Sequence, residues 1–231
     1  MEERQKKHSS ENKEKYSNVG ILIVLTGKSG AGKDAVMNEL VQHRDLVSLG
    51  INRVITCTDR SIREGEPTDA YHFVTPKDLI LMEKKDELVE PITPTGTSNK
   101  ATPKFEIARL LSGENLLWRI DPSRAAEVAT GNFFEKHFRE HSKVLKANTI
   151  VVCINAPHNT IESRRKQREG KNYNPKEFAL RDKQEKPHID ILLKNACVIE
   201  NTEGHLTETV ETAVRLIVGH HDKSKNKKIQ A

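Results

Sequence analysis

The sequence predicts an α/β fold, a mainly parallel sheet flanked by helices. Three observations carry this. Residues 19–25 form a short, continuous apolar run, Val-Gly-Ile-Leu-Ile-Val-Leu, of the kind a strand buried on both faces requires. That run ends in Thr26-Gly27 and gives way to helical periodicity. Strand-like and helix-like stretches then alternate along the chain, which is the pattern of βα units.

In order, residues 33–43 read as a helix with Val36, Met37, Leu40 and Val41 on one face. Residues 53–58 are a second strand, and further strands are expected at 71–75, 115–121, 149–155 and 196–201. The helix expected at 76–85 has Pro76 in its first turn and Thr75 as its cap. Residues 105–111 are a short amphipathic segment. Residues 124–146 have the length of two helices, broken at Gly131-Asn132. Helices follow at 160–168, 175–186 and 206–218, the last with Val210, Val214, Leu216 and Ile217 at helical spacing. Residues 93–104, rich in Pro, Thr, Gly, Ser and Asn, read as a loop. Residues 1–18 carry almost no large apolar side chains and read as a flexible arm. From about 219 the chain reads as a basic polar tail, with Lys223, Lys225, Lys227 and Lys228. The domain is placed at 19–218, and no internal repeat is visible.

A chain of 231 residues suits one domain. With 35% hydrophobic and 31% charged residues it is polar, yet not so poor in apolar side chains as to stay disordered. No apolar run approaches the ~18 residues of a membrane helix, so a transmembrane protein and a membrane partner are excluded. The N-terminal stretch lacks the apolar segment of a signal peptide. Cys57, Cys153 and Cys197 lie far apart without CxxC spacing, so a reducing, cytoplasmic location is expected. Lys and Arg number 38 against 33 Asp and Glu, a net +5. Part of the excess sits in the cluster Arg164, Arg165, Lys166, Arg168 and Lys171, which suits a phosphate partner. A nucleic-acid partner is disfavoured, because aromatics are only 4% and none interleave with that cluster.

Gly27-Lys28-Ser29-Gly30-Ala31-Gly32-Lys33 satisfies G-x-x-x-x-G-K between a buried strand and a helix. Glycines let the backbone N–H groups point inward around phosphates, the helix N-terminus adds positive potential, and Lys33 reaches the terminal phosphates. The motif ordinarily continues with Ser or Thr, whose hydroxyl contacts Mg²⁺. Here Asp34 and Ala35 follow. Asp34 either holds the metal through water or is a first-turn acid that favours the helix dipole.

Further on, Thr56-Cys57-Thr58-Asp59-Arg60-Ser61-Ile62-Arg63-Glu64-Gly65-Glu66 is followed by Tyr71-His72-Phe73-Val74. This resembles the guanylate kinase pattern, in which a strand leads into T-T-R-x-x-R-x-G-E and a Y-x-F-V strand. The likeness runs from about residue 20 to 218. It implies a P-loop NTPase-type parallel sheet with an acceptor-binding lobe near 53–104 and a helical lid near 160–182. By that resemblance Arg60, Arg63, Thr56 and Tyr71 hold the phosphate of a nucleoside monophosphate, consistent with the way guanidinium forks bind phosphate oxygens. Glu90 and Asp121 resemble the acids that read guanine, since a carboxylate accepts from both N1–H and the exocyclic amine. Arg164, Arg168 and Arg181 resemble the lid arginines that stabilise the transferring phosphoryl. Asn201 resembles a position near the ATP base.

The sequence departs from the family at the triplet Lys100-Ala101-Thr102, where Tyr-Gly-Thr or Tyr-Gly-Ser usually stands. Thr102 keeps a hydroxyl for guanine O6, and Lys100 replaces the Tyr as a point charge. The spacing from Glu66 to Tyr71 is one residue shorter than in most relatives.

The resemblance implies transfer of the γ-phosphoryl of ATP to GMP or dGMP. Residues 27–35 (Gly27, Lys28, Ser29, Gly30, Ala31, Gly32, Lys33, Asp34 and Ala35) would hold the ATP phosphates, and Mg²⁺ would be bound mainly through those phosphates. Two other readings stay open: a guanylate-kinase-like module with weakened catalysis, and a P-loop kinase of another small phosphorylated acceptor. His137 and His141, four residues apart, show no third ligand and read as a surface helix. Trp118, Phe133 and Phe134 read as core.

Overall fold

The computed structural model describes residues 18–95 and 98–229. The arm expected before residue 18 therefore lies almost wholly outside the described residues. Five strands form the central sheet: β1 (Leu22–Thr26), β2 (Ile51–Arg53), β7 (Asn115–Arg119), β8 (Thr149–Asn155) and β9 (Cys197–Glu200). Their order is β2-β7-β1-β8-β9, and every pairing is parallel.

β1 is buried along its whole length. Ile23 and Leu25 pack into one core with Val36, Leu40, Ile154 and Ile217, while Leu22 and Val24 pack into the other with Trp118, Phe133 and Phe134. A strand with both faces covered has no solvated side, so its apolar run is unbroken rather than alternating. Trp118 and Phe133 meet at 5.4 Å between ring centroids in the second core, which confirms the core reading of the aromatics.

The helices are α1 (Lys33–Leu40), α2 (Arg44–Ser48), α3 (Pro76–Lys84), α4 (Lys104–Ala108), α5 (Pro122–Thr130), α6 (Asn132–His137), α7 (Ser142–Ala147), α8 (His158–Glu169), α9 (Pro175–Asn195) and α10 (Leu206–Ile229). The Thr75 side chain caps α3 by accepting from the Asp78 N–H at 3.1 Å. Gly131, in the left-handed region, separates α5 from α6 as its sequence position suggested. His137 ends α6 and His141 lies in a separate 3₁₀ turn, so the two do not share one helix.

Four short strands build the smaller lobe: β3 (Cys57–Thr58), β4 (His72–Phe73), β5 (Thr93–Thr95) and β6 (Ser98–Ala101). Their order is β4-β3-β6-β5, around a small core of Cys57, Leu79, Leu88 and Ala101.

Five expectations change. The stretch 53–58 is not one strand: β2 ends at Arg53 in the central sheet and β3 begins at Cys57 in the smaller one. The stretch 124–146 holds parts of three helices, α5, α6 and α7, rather than two. The stretch 93–104 is not a loop: β5 and β6 pair antiparallel, and Val89 N–H donates to the Thr102 carbonyl beside them. Helix α9 runs past Lys186 to Asn195, with Pro187 inside it at an exposed position. Helix α10 continues to Ile229 through most of the stretch read as a polar tail. Ile217, His221 and Ser224 are all buried at i, i+4 and i+7, so polar side chains continue the inward face of that helix.

Candidate active site

The ligand edge of a parallel sheet is the side where its strands end and their loops begin. Here β1 ends at Thr26 and the glycine loop starts at once. Gly27 has φ 145°, and a Cβ there would come within 2.2 Å of the Ile154 carbonyl oxygen. Gly32 has φ 93° and immediately precedes α1; a Cβ there would meet Asn201 Nδ2 at 2.2 Å. Neither position admits a side chain.

A loop whose N–H groups turn inward must turn carbonyls outward, and those carbonyls need donors. Asn201 Nδ2 donates to the Ala31 carbonyl at 2.8 Å, and Arg164 Nη1 donates to the same oxygen at 3.3 Å. Arg164 Nη2 also reaches the Asn201 carbonyl at 3.2 Å. Arg164 and Asn201 thus brace the back of the loop. Neither lines the cavity in front of it, where the lid and base-site readings had placed them. Lys28 likewise points away, to Asp182 of α9 at 2.5 Å.

The cavity in front of the loop has a volume of about 360 Å³. Among the sequence-derived candidates Gly27, Ser29, Lys33, Asp34, Thr56, Tyr71, Glu90, Thr102, Asp121, Arg168 and Arg181 line it. The structure thereby brings together residues spread over more than 150 positions. Burial pulls the Lys33 ammonium below its ordinary range; Asp34 and Glu185 oppose that pull, and Arg119 and Arg181 reinforce it.

At the base end, Glu90 Oε1 accepts from the Thr102 N–H at 2.9 Å and from the Thr102 hydroxyl at 2.5 Å. The hydroxyl proton of Thr102 is therefore engaged on Glu90 rather than offered to a base. Thr102 orients the acid. Burial raises the Glu90 carboxyl above its ordinary range, against the pull of those hydrogen bonds. Asp121 Oδ1 accepts from the Ser123 and Arg124 N–H groups and so caps α5. The capping role and the cavity position are both present in this one side chain.

The arginine pair is arranged differently from expectation. Arg60 is held by Glu66 through two contacts of 2.7 and 2.5 Å, beneath which lie the rings of Tyr71 and Phe73. Arg60 holds the Glu66 carboxyl down to about 2. Arg63 is exposed, and its backbone N–H donates to the same carboxylate. Neither guanidinium lines the cavity.

Lys100 does line it, and donates to the Tyr71 hydroxyl at 2.8 Å. That bond lowers the Tyr71 hydroxyl below its ordinary range. Arg119, Thr93 and Glu185 also line the cavity and were missed as site residues. Arg119 carried a usable signal: it is the exposed last residue of a strand whose Leu116, Leu117 and Trp118 are buried, at the edge where ligands bind. Glu185 carried none, lying mid-helix among other charges.

Cys57 and Cys153 are buried, and burial pushes both thiols up to about 11, away from the thiolate form a nucleophile uses.

The sheet order, the glycine loop feeding α1 and the cations gathered before it define a P-loop NTPase-type α/β protein. Comparison with known proteins narrows the class. No family model matches the chain. It is 34% identical over 110 residues to guanylate kinase 2, chloroplastic/mitochondrial, of Oryza sativa subsp. japonica, a match that covers 47% of this chain and 37% of that one. It is 26% identical over 192 residues to a guanylate kinase of Mesoplasma florum, covering 83% of this chain and 60% of the relative. A guanylate kinase of Clostridium perfringens is 31% identical over 119 residues, 51% of this chain and 53% of the relative. The chain thus spans about half the length of the curated relatives it matches. In fold, the crystal structure of guanylate kinase from Anaplasma phagocytophilum superposes with a TM-score of 0.56 at 18% identity, over 88% of this chain and 87% of that one. The sequence is thus similar to guanylate kinases over part of its length, and the likeness to the solved structure is one of fold.

Proposed function

We propose that this protein is a nucleoside-monophosphate kinase that transfers the γ-phosphoryl of ATP to GMP or dGMP. The observation that carries the reading is the shared cavity. The P-loop cation Lys33, the acids Glu90 and Asp121, and the cations Arg168 and Arg181 all line one space. A phosphoryl donor and a guanine-bearing acceptor suit that set of charges.

In the transfer, an oxygen of the acceptor phosphate bonds to the γ-phosphorus while the bond from that phosphorus to the β-bridging oxygen breaks. ADP leaves, and GDP or dGDP forms. No protein nucleophile is required. The chain's task is to place the two phosphates and to stabilise charge on the transferring oxygens. Lys33 and the loop N–H groups hold the donor. Arg168 and Arg181 supply cations from α8 and α9. Lys100 and Tyr71 hold the acceptor phosphate from β6 and the start of β4. Arg60 joins them once the incoming phosphate displaces Glu66. Ionised Glu90, oriented by Thr102, accepts from guanine N1–H and N2–H₂, and Asp121 adds its second oxygen.

The residues do not fit a metal held by the protein. Asp34 is ion-paired to Arg119 at 2.5 Å, Ala35 has no ligand atom, and the described residues contain no cluster of three or more His, Cys, Asp or Glu suited to a metal. Mg²⁺ in this reading arrives on the ATP phosphates, where it neutralises donor charge.

The test is ADP release across GMP, AMP, CMP and dTMP. Release that depends on GMP or dGMP supports the reading. Equal release with another acceptor favours a kinase of a different small phosphate. The Asp34–Arg119 pair gives the non-catalytic module its own footing, and that module predicts no ADP at any metal concentration. Among the described residues no helix is long and apolar enough to cross a membrane.

A further inference from the structure

Beside the glycine loop Asp34, expected at the ATP phosphates, is paired to Arg119, which was not expected there. Arg119 Nη1 donates to Asp34 Oδ1 at 2.5 Å. The contact joins the end of β7 to the first turn of α1. Backbone register sets it: Arg119 is the β-partner of Leu25, two residues before Gly27, and the Ile120 N–H donates to the Leu25 carbonyl at 3.1 Å. Arg119 is therefore carried beside the start of the glycine loop by the sheet itself, not by a flexible segment.

A stabilising role does not account for the pair. The Arg119 side chain is 42% exposed and the Asp34 side chain 64%, and ion pairs this open contribute little to stability. The location is more telling. Both side chains line the nucleotide cavity. Arg119 lines the same cavity as Lys33 and Tyr71, and its charge acts on both. Asp34 takes one of its N–H groups, and among the described residues no other acceptor takes the rest. A guanidinium presents several donors in a planar fork that matches phosphate oxygens.

We propose that Arg119 is a phosphate-binding residue of the donor site, a cation fixed at the sheet edge and aimed by Asp34, which lets the chain hold ATP phosphates without a P-loop hydroxyl to anchor a metal. Asp34 is a positioning residue in this arrangement: it touches Arg119 rather than the nucleotide. The proposal rests on the nucleotide reading of the loop and adds to it a residue and a consequence. ATP binding becomes partly independent of metal, and that independence resides in Arg119.

The experiment is titration of the full-length protein with ATP, followed by calorimetry, once with excess EDTA and once with Mg²⁺. The proteins are the parent, Arg119→Ala, Arg119→Lys and, as a control on the loop itself, Lys33→Ala. Thermal melts establish that each variant is folded. The parent is expected to bind ATP in EDTA. Arg119→Ala should weaken that binding by about tenfold or more, the size of a lost charge-assisted contact, and Mg²⁺ should restore more of it than in the parent. Arg119→Lys should fall between, having the charge without the fork. Asp34→Asn, titrated alongside them, keeps the oxygen that accepts from Arg119 and removes an anion near the phosphates, so it should bind ATP in EDTA at least as well as the parent. The proposal is overturned if Arg119→Ala binds ATP in EDTA like the parent while Lys33→Ala does not. It is also overturned if Arg119→Ala binds Mg²⁺-ATP more tightly than the parent, because Arg119 would then merely occupy the metal's place on Asp34. If Lys33→Ala and Arg119→Ala both bind like the parent, the nucleotide reading of the loop fails with it.

Discussion

Glu90→Gln isolates base reading from folding. Both hydrogen bonds from Thr102 fall on Oε1 of Glu90. Glutamine keeps an oxygen there and keeps both bonds, so the fold should be little affected. The second oxygen, left for the cavity, becomes an NH₂ group. An acceptor with charge is replaced by a donor, facing the N1–H and N2–H₂ donors of guanine. Loss of a hydrogen bond to a charged group amounts to ~1.5–3 kcal/mol. At about 1.4 kcal/mol per tenfold, kcat/KM for GMP should fall roughly 10- to 150-fold. AMP offers no N1–H and should change little. The acid limb of the pH profile gives a second readout. Burial raises the Glu90 carboxyl, so its charge is lost at a higher pH than in a solvated glutamate. kcat/KM for GMP should therefore decline, as pH falls, before an ordinary glutamate would protonate, and Glu90→Gln should lack that limb. The same shift has a stability sign. The folded state holds this proton more tightly than the unfolded chain, so stability from Glu90 is lost as pH rises from the unfolded value through the folded one, a loss the glutamine variant should not show. A coupled assay of ADP release with GMP and AMP at saturating ATP measures the ratio. A folded Glu90→Gln protein with the parental GMP:AMP ratio would refute the assignment.

Lys33→Ala removes the loop's only cavity-lining cation, and turnover should drop at least ~10²-fold, as for loss of one preorganised donor; near-parental turnover in steady-state assays would remove Lys33 from the mechanism. Burial lowers the Lys33 ammonium, so the alkaline limb of kcat/KM for ATP should begin below the ordinary lysine range, with activity lost as pH rises through it; a profile flat up to that range would contradict this. Lys100→Ala frees the Tyr71 hydroxyl and takes a cation from the acceptor side, so KM for GMP should rise about tenfold with kcat less affected; initial-rate kinetics decide between that and no role. Asp121→Asn keeps a good helix cap, so the melting temperature should hold while GMP selectivity falls; a lower melting temperature with parental selectivity would leave Asp121 as a cap alone.

The legible parts of the fold are those where apolar pattern and backbone chemistry agree. β1 and the glycine loop stand out because burial on both faces needs an unbroken apolar run and the tight loop needs glycine. Helix α10 shows the opposite case. Its first turns carry Val210, Val214 and Ile217, and its inward face then passes to His221 and Ser224, which no hydrophobic period registers. Residues 93–104 read as a loop for a similar reason: β5 and β6 are short and rich in turn-forming residues, and what makes them strands is their pairing with each other and that of β6 with β3 across some forty residues. Pro187 ended the reading of α9 early because a proline removes a helical donor and ordinarily breaks the helix, whereas here the helix continues through it at an exposed position.

The site divides along the same line. The glycine-loop spacing located Lys33, and the resemblance to the guanylate kinase pattern located Tyr71, Glu90 and Asp121. It did not show which arginines face the cavity. Arg164 and Arg168 sit four residues apart on α8, yet the first is turned to the Ala31 carbonyl and the second lines the cavity. The difference is a matter of how α8 leans on the glycine loop. A loop that turns its N–H groups toward phosphate leaves carbonyls that must be satisfied from behind, and Arg164 meets that need. The cation it does not deliver to the cavity is present instead as Arg119, brought to the loop by the register of β7 on β1. In this chain the cations facing the cavity are set by which arginines the packing turns inward, not by the motif alone. Variants that move them should be compared by the total cation facing the phosphates rather than by motif residue: Arg164→Ala should loosen the loop and weaken ATP binding with and without metal alike, whereas Arg119→Ala should weaken it chiefly without metal.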